Sequence, residues 1–250
     1  MKMTGAQAII KVLQEQGIET VFGYPGGAVI PLYNALYDAP IKNVLTAHEQ
    51  GAIHAADGYA RASGKVGVCI ATSGPGATNI VTGLATAYLD SIPLVAISGQ
   101  VPVANLGRDA FQEIDIVGVT MPITKYNAIV RKSEELVPML RKAFAIAKNG
   151  RPGPVLIDVP SDLQVKELDY PELEEIKLPE VMKADEGIVE KAAAALNGAE
   201  RPVLMVGGGA VTSAVEAELM ELAHKADLPV VSTLMGLGVY PGSDERAIGL

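Results

Sequence analysis

Tryptophan is absent from this 250-residue chain, and only 4% of its residues are aromatic. A core of stacked rings is excluded, so the interior has to be aliphatic and small. The 26 glycines and many alanines supply such packing and let backbone approach a ligand closely. A single cysteine, Cys69, excludes an internal disulfide framework and fits a reducing compartment, so a cytoplasmic location is expected. Basic residues are in deficit: 20 Lys and Arg against 29 Asp and Glu leave a formal net charge of −9. That balance argues against nucleic acid as a partner. No apolar run is long enough to span a bilayer, and no signal or transit pattern precedes the first amphipathic helix. His48 and His54 do not have zinc-helix spacing, and no metal is assigned to them.

What is present is an alternation of apolar runs with helical segments. Thr4 and Gln7 have capping-box spacing, and Gly17 stops the helix they open. Strands are expected at Thr20–Phe22, Val44–Leu45, Val66–Thr72, Leu94–Ser98 and Val155–Val159. Helices are expected around Val29–Tyr37, from Glu49 to Gly64, at Ala77–Tyr88 and at Glu134–Lys148. Continuous apolar strands alternating with helices mean a parallel sheet covered on both faces. Residues 99–130 read as an irregular, functional connection. The organisation expected is a first α/β domain over residues 1–165, a charged, proline-punctuated linker over 166–185, and the start of a second α/β domain over 186–250. In that second part, Ser213 and Glu216 have capping-box spacing ahead of a helix.

Chemistry concentrates in a few segments. Glu49 stands where an apolar strand turns into an alanine-rich helix. A carboxylate held there out of water can keep a proton at neutral pH; a solvated first-turn glutamate is the alternative. The Gly23-Tyr24-Pro25-Gly26-Gly27-Ala28 turn offers backbone amides suited to a developing oxyanion, or is a plain tight turn. Thr72-Ser73-Gly74-Pro75-Gly76-Ala77-Thr78-Asn79 is neither a dinucleotide fingerprint nor a P-loop, and is not read as a phosphate cradle. Gly207-Gly208-Gly209 between strand and helix is a dinucleotide turn or a bare glycine triplet. Arg151 before a strand suits a phosphate, carboxylate or ribityl contact, or is an exposed turn charge. Phe111 and Gln112 read as a satellite core residue and a surface amide.

The ordered set is more specific than its members. Tyr24–Ala28, Ala47–Ala52, Asp57–Arg61, Thr72–Asn79, Gly99-Gln100-Val101-Pro102, Asp109–Glu113 and Gly150–Pro154 occur in one order. Val206–Gly209 and Thr233–Gly238 follow them. Together they resemble the catalytic subunits of the acetohydroxyacid synthase (acetolactate synthase) family, enzymes dependent on thiamine diphosphate. The resemblance implies a pyrimidine-side cofactor domain followed by an incomplete FAD-binding-type domain. Glu49 resembles the glutamate that hydrogen-bonds the aminopyrimidine ring and promotes its imino tautomer. Gly27 resembles the glycine beside the reacting carbon, and Tyr24, Pro25 and Gly26 line the cofactor turn. Ala28, Pro102, Phe111 and Gln112 resemble the keto-acid pocket and channel. Arg151, Gly207 and Gly208 resemble contacts to a structural FAD.

The implied reaction joins two keto acids. Pyruvate loses CO2, and its two-carbon remainder is added to pyruvate, giving 2-acetolactate, or to 2-oxobutyrate, giving 2-aceto-2-hydroxybutyrate. These are steps toward valine, leucine and isoleucine. A homodimer or homotetramer with the active site at the subunit interface is implied, together with a small regulatory subunit. The family's Gly-Asp-Gly segment, which holds Mg2+ and the diphosphate, has no match here. The chain is therefore expected to be an N-terminal fragment, inactive alone and without metal ligands. The rivals are an FAD-free catabolic acetolactate synthase, another thiamine-diphosphate carboligase or decarboxylase, and a non-catalytic nucleotide-binding module using Gly207–Gly209.

Overall fold

In the computed structural model, which describes residues 1–172 and 184–250, the first unit (Met1–Pro179) is built on a six-stranded sheet. Its chain order begins β1 (Lys2–Thr4), α1 (Gly5–Glu15), β2 (Thr20–Gly23), α2 (Ile30–Tyr37), β3 (Lys42–Leu45) and α3 (Glu49–Ser63). Then come β4 (Gly67–Ala71), α4 (Pro75–Asn79), α5 (Val81–Asp90), β5 (Leu94–Gln100), α6 (Ile116–Thr120) and β6 (Tyr126–Ile129). The unit closes with α7 (Ser133–Lys148), β7 (Pro154–Pro160), α8 (Ser161–Val165) and β8 (Glu167–Asp169). The strand order is β3-β2-β4-β5-β7-β6, and every pair is parallel. This is the parallel α/β sheet that the apolar alternation implies.

Local chemistry sets the elements. The Thr4 hydroxyl accepts from the Gln7 amide at 3.3 Å, and the Gln7 side chain accepts from the Thr4 amide at 2.9 Å, completing the capping box of α1. Alternate strand residues then serve two faces. Val68, Ile70, Val95, Ile97, Val155 and Ile157 join one core with Ile9 and Leu13 of α1 and Leu140 and Phe144 of α7. Cys69, Ala71, Ala96 and Leu156 are buried on the opposite face. Each fully buried Leu, Ile or Phe contributes roughly 1.5–3 kcal/mol, so the sheet interior holds the unit together. On α7, Arg141 is buried and grips Glu15 with two hydrogen bonds of 3.0 Å. It also donates to the Pro171 and Glu172 carbonyls, fastening the chain where it leaves β8.

Several elements differ from the sequence expectation. The stretch 99–130 is not wholly irregular, because Tyr126–Ile129 forms the edge strand β6 beside β7. Lys2–Thr4 and Glu167–Asp169 pair antiparallel as β1 and β8, so the chain stays packed on the first unit beyond residue 166. Neither strand has enough residues to show a period. The remainder of the expected linker, including Glu174, Glu175 and Pro179, falls largely on 173–183, outside the described residues. The helix expected at Ala77–Tyr88 is two helices that break at Ile80.

The second unit (Glu180–Leu250) has α9 (Glu186–Asn197), β9 (Leu204–Val206), α10 (Gly208–Thr212), α11 (Glu216–Lys225), β10 (Val230–Ser232) and β11 (Ala247–Gly249). Its sheet order is β11-β10-β9, all parallel. Val206, Ala223, Val230, Val239 and Tyr240 form its core. The Ser213/Glu216 capping box does not form. Ser213 instead ends α10, Ala214 turns left-handed at φ 49°, and Val215 precedes α11 without a side-chain cap.

Candidate active site

The sheet order fixes where a ligand can enter. From β2 the chain crosses outward to β3, then returns to β4 on the other side of β2. Crossovers that leave in opposite directions open a crevice beyond the carboxyl ends of β2 and β4. Three segments meet there: the Gly23–Val29 turn after β2, Thr46–Glu49 after β3, and Thr72–Asn79 after β4.

Glu49 is the first residue of α3 and only 8% exposed, which removes the solvated alternative. His48 caps the helix, its Nδ1 accepting from the Gln50 amide at 3.0 Å. The Thr46 hydroxyl donates to the His48 carbonyl at 2.9 Å, fixing the entry to the helix. Asn79, at the end of α4, donates from Nδ2 to Glu49 Oε2 at 2.9 Å. Among the described residues this is the one hydrogen bond to the Glu49 carboxylate, so Oε1 can serve an incoming donor. Nearby, burial pushes the Tyr33 hydroxyl well up, and Cys69 and Glu49 add to it. Farther along α3, Arg61 pairs with Asp57 at 2.9 Å and Asp90 at 2.7 Å, tying α3 to the end of α5.

The turn after β2 lies against the turn after β4. Thr72 Oγ1 accepts from the Ala28 amide at 3.2 Å, and a methyl group on Gly26 would stand 2.5 Å from Thr72 Cγ2. The amides of Gly26 and Gly27 make no hydrogen bond among the described residues, and nothing stands within 4 Å of a Cβ built on Gly27. Buried Gln164 fixes the far side of the turn by donating to the Ala28 carbonyl at 2.8 Å. Tyr24 and Pro25 are exposed at the mouth.

The loop after β5 reaches the same place. Pro102 opens it, and the Glu113 carboxylate accepts from the amides of Gly107, Arg108 (3.3 Å) and Ala110 (2.9 Å). Asp109 and Gln112 are left-handed at φ 52° and 57°. Such strain in non-glycine residues persists only where the surroundings enforce it. A methyl group on Gly74 would stand 2.7 Å from the Gln112 carbonyl oxygen, so the loop rests on the turn that carries Asn79. Phe111 at the tip is 87% exposed, which excludes a core role.

The structure thus brings Glu49, Tyr24–Ala28 and Gln112 together through Thr72 and Gly74. Arg151 is elsewhere, at the amino end of β7, donating to Ser91 Oγ at 2.6 Å and the Leu89 carbonyl at 3.2 Å. In the second unit, Gly207 precedes α10 as its N-cap and Gly208 opens it, close against Met235. Sequence reasoning assigned no role to Thr72 or Asn79. The signal was an amide one helical turn beyond a Gly-Pro-Gly bend, but its target lies on another crossover.

Asp158 is another buried carboxyl, near the carboxyl ends of β5 and β7. It accepts from Ser98 Oγ at 2.7 Å and Gln100 Nε2 at 2.9 Å. Burial pushes its pKa from 3.8 to about 7; these two hydrogen bonds lower it, and Asp115 raises it. The folded state therefore binds this proton more tightly than the unfolded chain. Its contribution to stability is complete below the unfolded value and is lost as pH rises toward 7, about 4 kcal/mol in all. Urea unfolding of the wild type between pH 4.5 and 7.5 should show a decline that Asp158→Asn lacks. Parallel profiles would refute the assignment.

The chain is similar to known proteins along its whole length. The profile described as "Thiamine pyrophosphate enzyme, N-terminal TPP binding domain" matches residues 3–119, and that described as "Thiamine pyrophosphate enzyme, central domain" matches 189–250. The chain is 51% identical to a probable acetolactate synthase large subunit of Methanocaldococcus jannaschii, covering 99% of this chain and 43% of that protein. It is 46% identical to the acetolactate synthase large subunit of Haemophilus influenzae, covering 100% of this chain and 44% of that one. For the large subunit of Corynebacterium glutamicum the identity is 50%, with 100% and 40% covered. The chain spans less than half the length of these relatives. It belongs to the thiamine pyrophosphate enzymes, carrying their N-terminal and central domains, and is homologous throughout to acetolactate synthase large subunits.

Proposed function

We propose that the protein is the catalytic subunit of an acetolactate synthase. It would condense pyruvate, with loss of CO2, onto pyruvate or 2-oxobutyrate in branched-chain amino-acid synthesis. The observation that carries this reading is Glu49: a buried carboxylate with one oxygen steadied by Asn79 and the other uncommitted. A ring nitrogen needing a proton partner fits that arrangement, so the residues present suit thiamine diphosphate. When bound, the cofactor supplies a carbon nucleophile and an electron sink for decarboxylation. Glu49 would hold and move the proton at its Oε1. Asn79 would keep the carboxylate turned toward the ring. Tyr24, Pro25 and Gly26 would flank the cofactor, and the amides of Gly26 and Gly27 would receive developing negative charge. Ala28, Pro102, Phe111 and Gln112 would shape the keto-acid pocket.

Residues 1–165 serve here as the pyrimidine-side domain, and 186–250 open an FAD-binding-type domain with contacts from Arg151, Gly207 and Gly208. Mg2+ would be held by residues outside this chain. A homodimer or homotetramer with the site at the subunit boundary is proposed, in the cytoplasm, with a small regulatory subunit as partner. No helix among the described residues is long and apolar enough to cross a membrane.

The test uses the intact native protein with pyruvate, thiamine diphosphate, Mg2+ and FAD. Acetolactate and CO2 should form in equal amounts. CO2 with acetaldehyde and no acetolactate would indicate a simple decarboxylase instead. In the same assay Asn79→Ala should reduce kcat about tenfold, because Glu49 loses its one donor. An unchanged kcat would remove Asn79 from the site.

A further inference from the structure

The Gly99-Gln100-Val101-Pro102 segment has a purpose that the cofactor site does not absorb. Gln100 is 2% exposed, and every polar atom of its side chain is committed. Oε1 accepts from the Val101 amide at 2.9 Å. Nε2 donates to Asp158 Oδ2 at 2.9 Å and to the Ile114 carbonyl at 2.9 Å. The two acceptors on one nitrogen fix the orientation of the amide. Asp158 in turn is held by Ser98 from inside the sheet. Ile114 closes the loop that bears Phe111 and Gln112, and that loop rests on Gly74. Another tie near its base is the Val103 amide donating to Asp162 Oδ1 at 3.1 Å. Internally the loop is clipped by Glu113, so it moves or stays as a piece.

We propose that Asp158 is a positioning residue: acting through Gln100, it anchors the 101–115 loop and so sets where Phe111 and Gln112 stand over the turn that holds Asn79. A buried carboxyl suits this because it takes two donors at once and enforces one amide orientation. Asparagine in its place keeps an acceptor oxygen at only one of the two positions, so the hydrogen bond to Ser98 or the one to Gln100 has to be lost or reversed. The anchorage rests on the described geometry alone, whereas its effect on substrate rests on the proposed keto-acid pocket.

The experiment compares Asp158→Asn, Gln100→Met and Ser98→Ala in the intact native protein. Amide hydrogen exchange is read without cofactor, and KM and kcat for pyruvate with it. Asp158→Asn and Gln100→Met should speed exchange across 101–115 about tenfold while 94–98 and 154–157 change less. Both should raise KM about tenfold with kcat within about twofold. Ser98→Ala removes a hydrogen bond from the same carboxyl but leaves the Gln100 link, so it should lower the melting temperature and leave loop exchange and KM unchanged. If Asp158→Asn does not fold, Gln100→Met against Ser98→Ala carries the comparison. Unchanged loop exchange in Gln100→Met, or equal loop exchange in all three variants, overturns the anchorage. So does release by Gln100→Met with none in a folded Asp158→Asn. Faster exchange at constant KM upholds the anchorage and removes Phe111 and Gln112 from the pocket.

Discussion

Glu49→Gln should lower the turnover of acetolactate formation on the order of a thousandfold, the size of effect expected when a positioned acid–base group is lost. The substitution is close to isosteric. Its amide oxygen can still accept from Asn79 Nδ2, so the bond seen at 2.9 Å survives. The helix cap survives too, because His48 supplies it. What disappears is the buried carboxyl group proposed to take up and return a proton. The fold should therefore persist, with the thermal midpoint within a few degrees of wild type. The measurements are steady-state turnover with saturating cofactor, cofactor affinity and circular dichroism. A variant that keeps more than a tenth of wild-type turnover would end the assignment of Glu49 as the proton-handling group. The nucleotide-module alternative would then gain.

Gly67→Ala should be the most damaging single methyl group in the sheet. Gly67 begins β4, directly beneath α3, and a Cβ there would stand 2.2 Å from the Ala56 carbonyl oxygen and 2.8 Å from its carbon. Both atoms belong to helix backbone, so no rotamer change relieves the clash. The helix has to lift, and Glu49 sits at its head. Overpacking of this kind costs about 3 kcal/mol, which corresponds to a fall in thermal midpoint of roughly 6–12 °C for a unit of this size. Because α3 carries the proposed acid–base group, activity at 25 °C should fall as well. A midpoint within about 2 °C of wild type would show that α3 and β4 are less closely packed than described.

These two residues separate what can be read from the chain from what cannot. Glu49 was legible because a charged side chain at a strand-to-helix junction, followed by alanines, contradicts the apolar run around it. The parallel sheet was legible for a similar reason. Val66–Thr72, Leu94–Ser98 and Val155–Val159, the last interrupted by Asp158 alone, run apolar without alternation, as strands buried on both faces do. Gly67 carries no such mark, since one glycine before an apolar run reads the same whether a helix backbone lies over it or water does. The edge strand β6 was hidden because its four residues are all half-buried and polar at Asn127. The Ser213 cap failed because short-range spacing competes with a left-handed break at Ala214 that spacing does not reveal.

The sequence by itself determined the alternation of elements, the parallel class of the sheet and the order of segments by which its family is known. All of these are written in local periods and residue types. Only the tertiary structure decided that Asn79 would reach Glu49, that Gln112 would rest on Gly74, and that Asp158 would anchor the loop through Gln100. Each of these contacts joins different crossovers of the sheet. Their geometry follows from strand order and close packing, which no local pattern encodes.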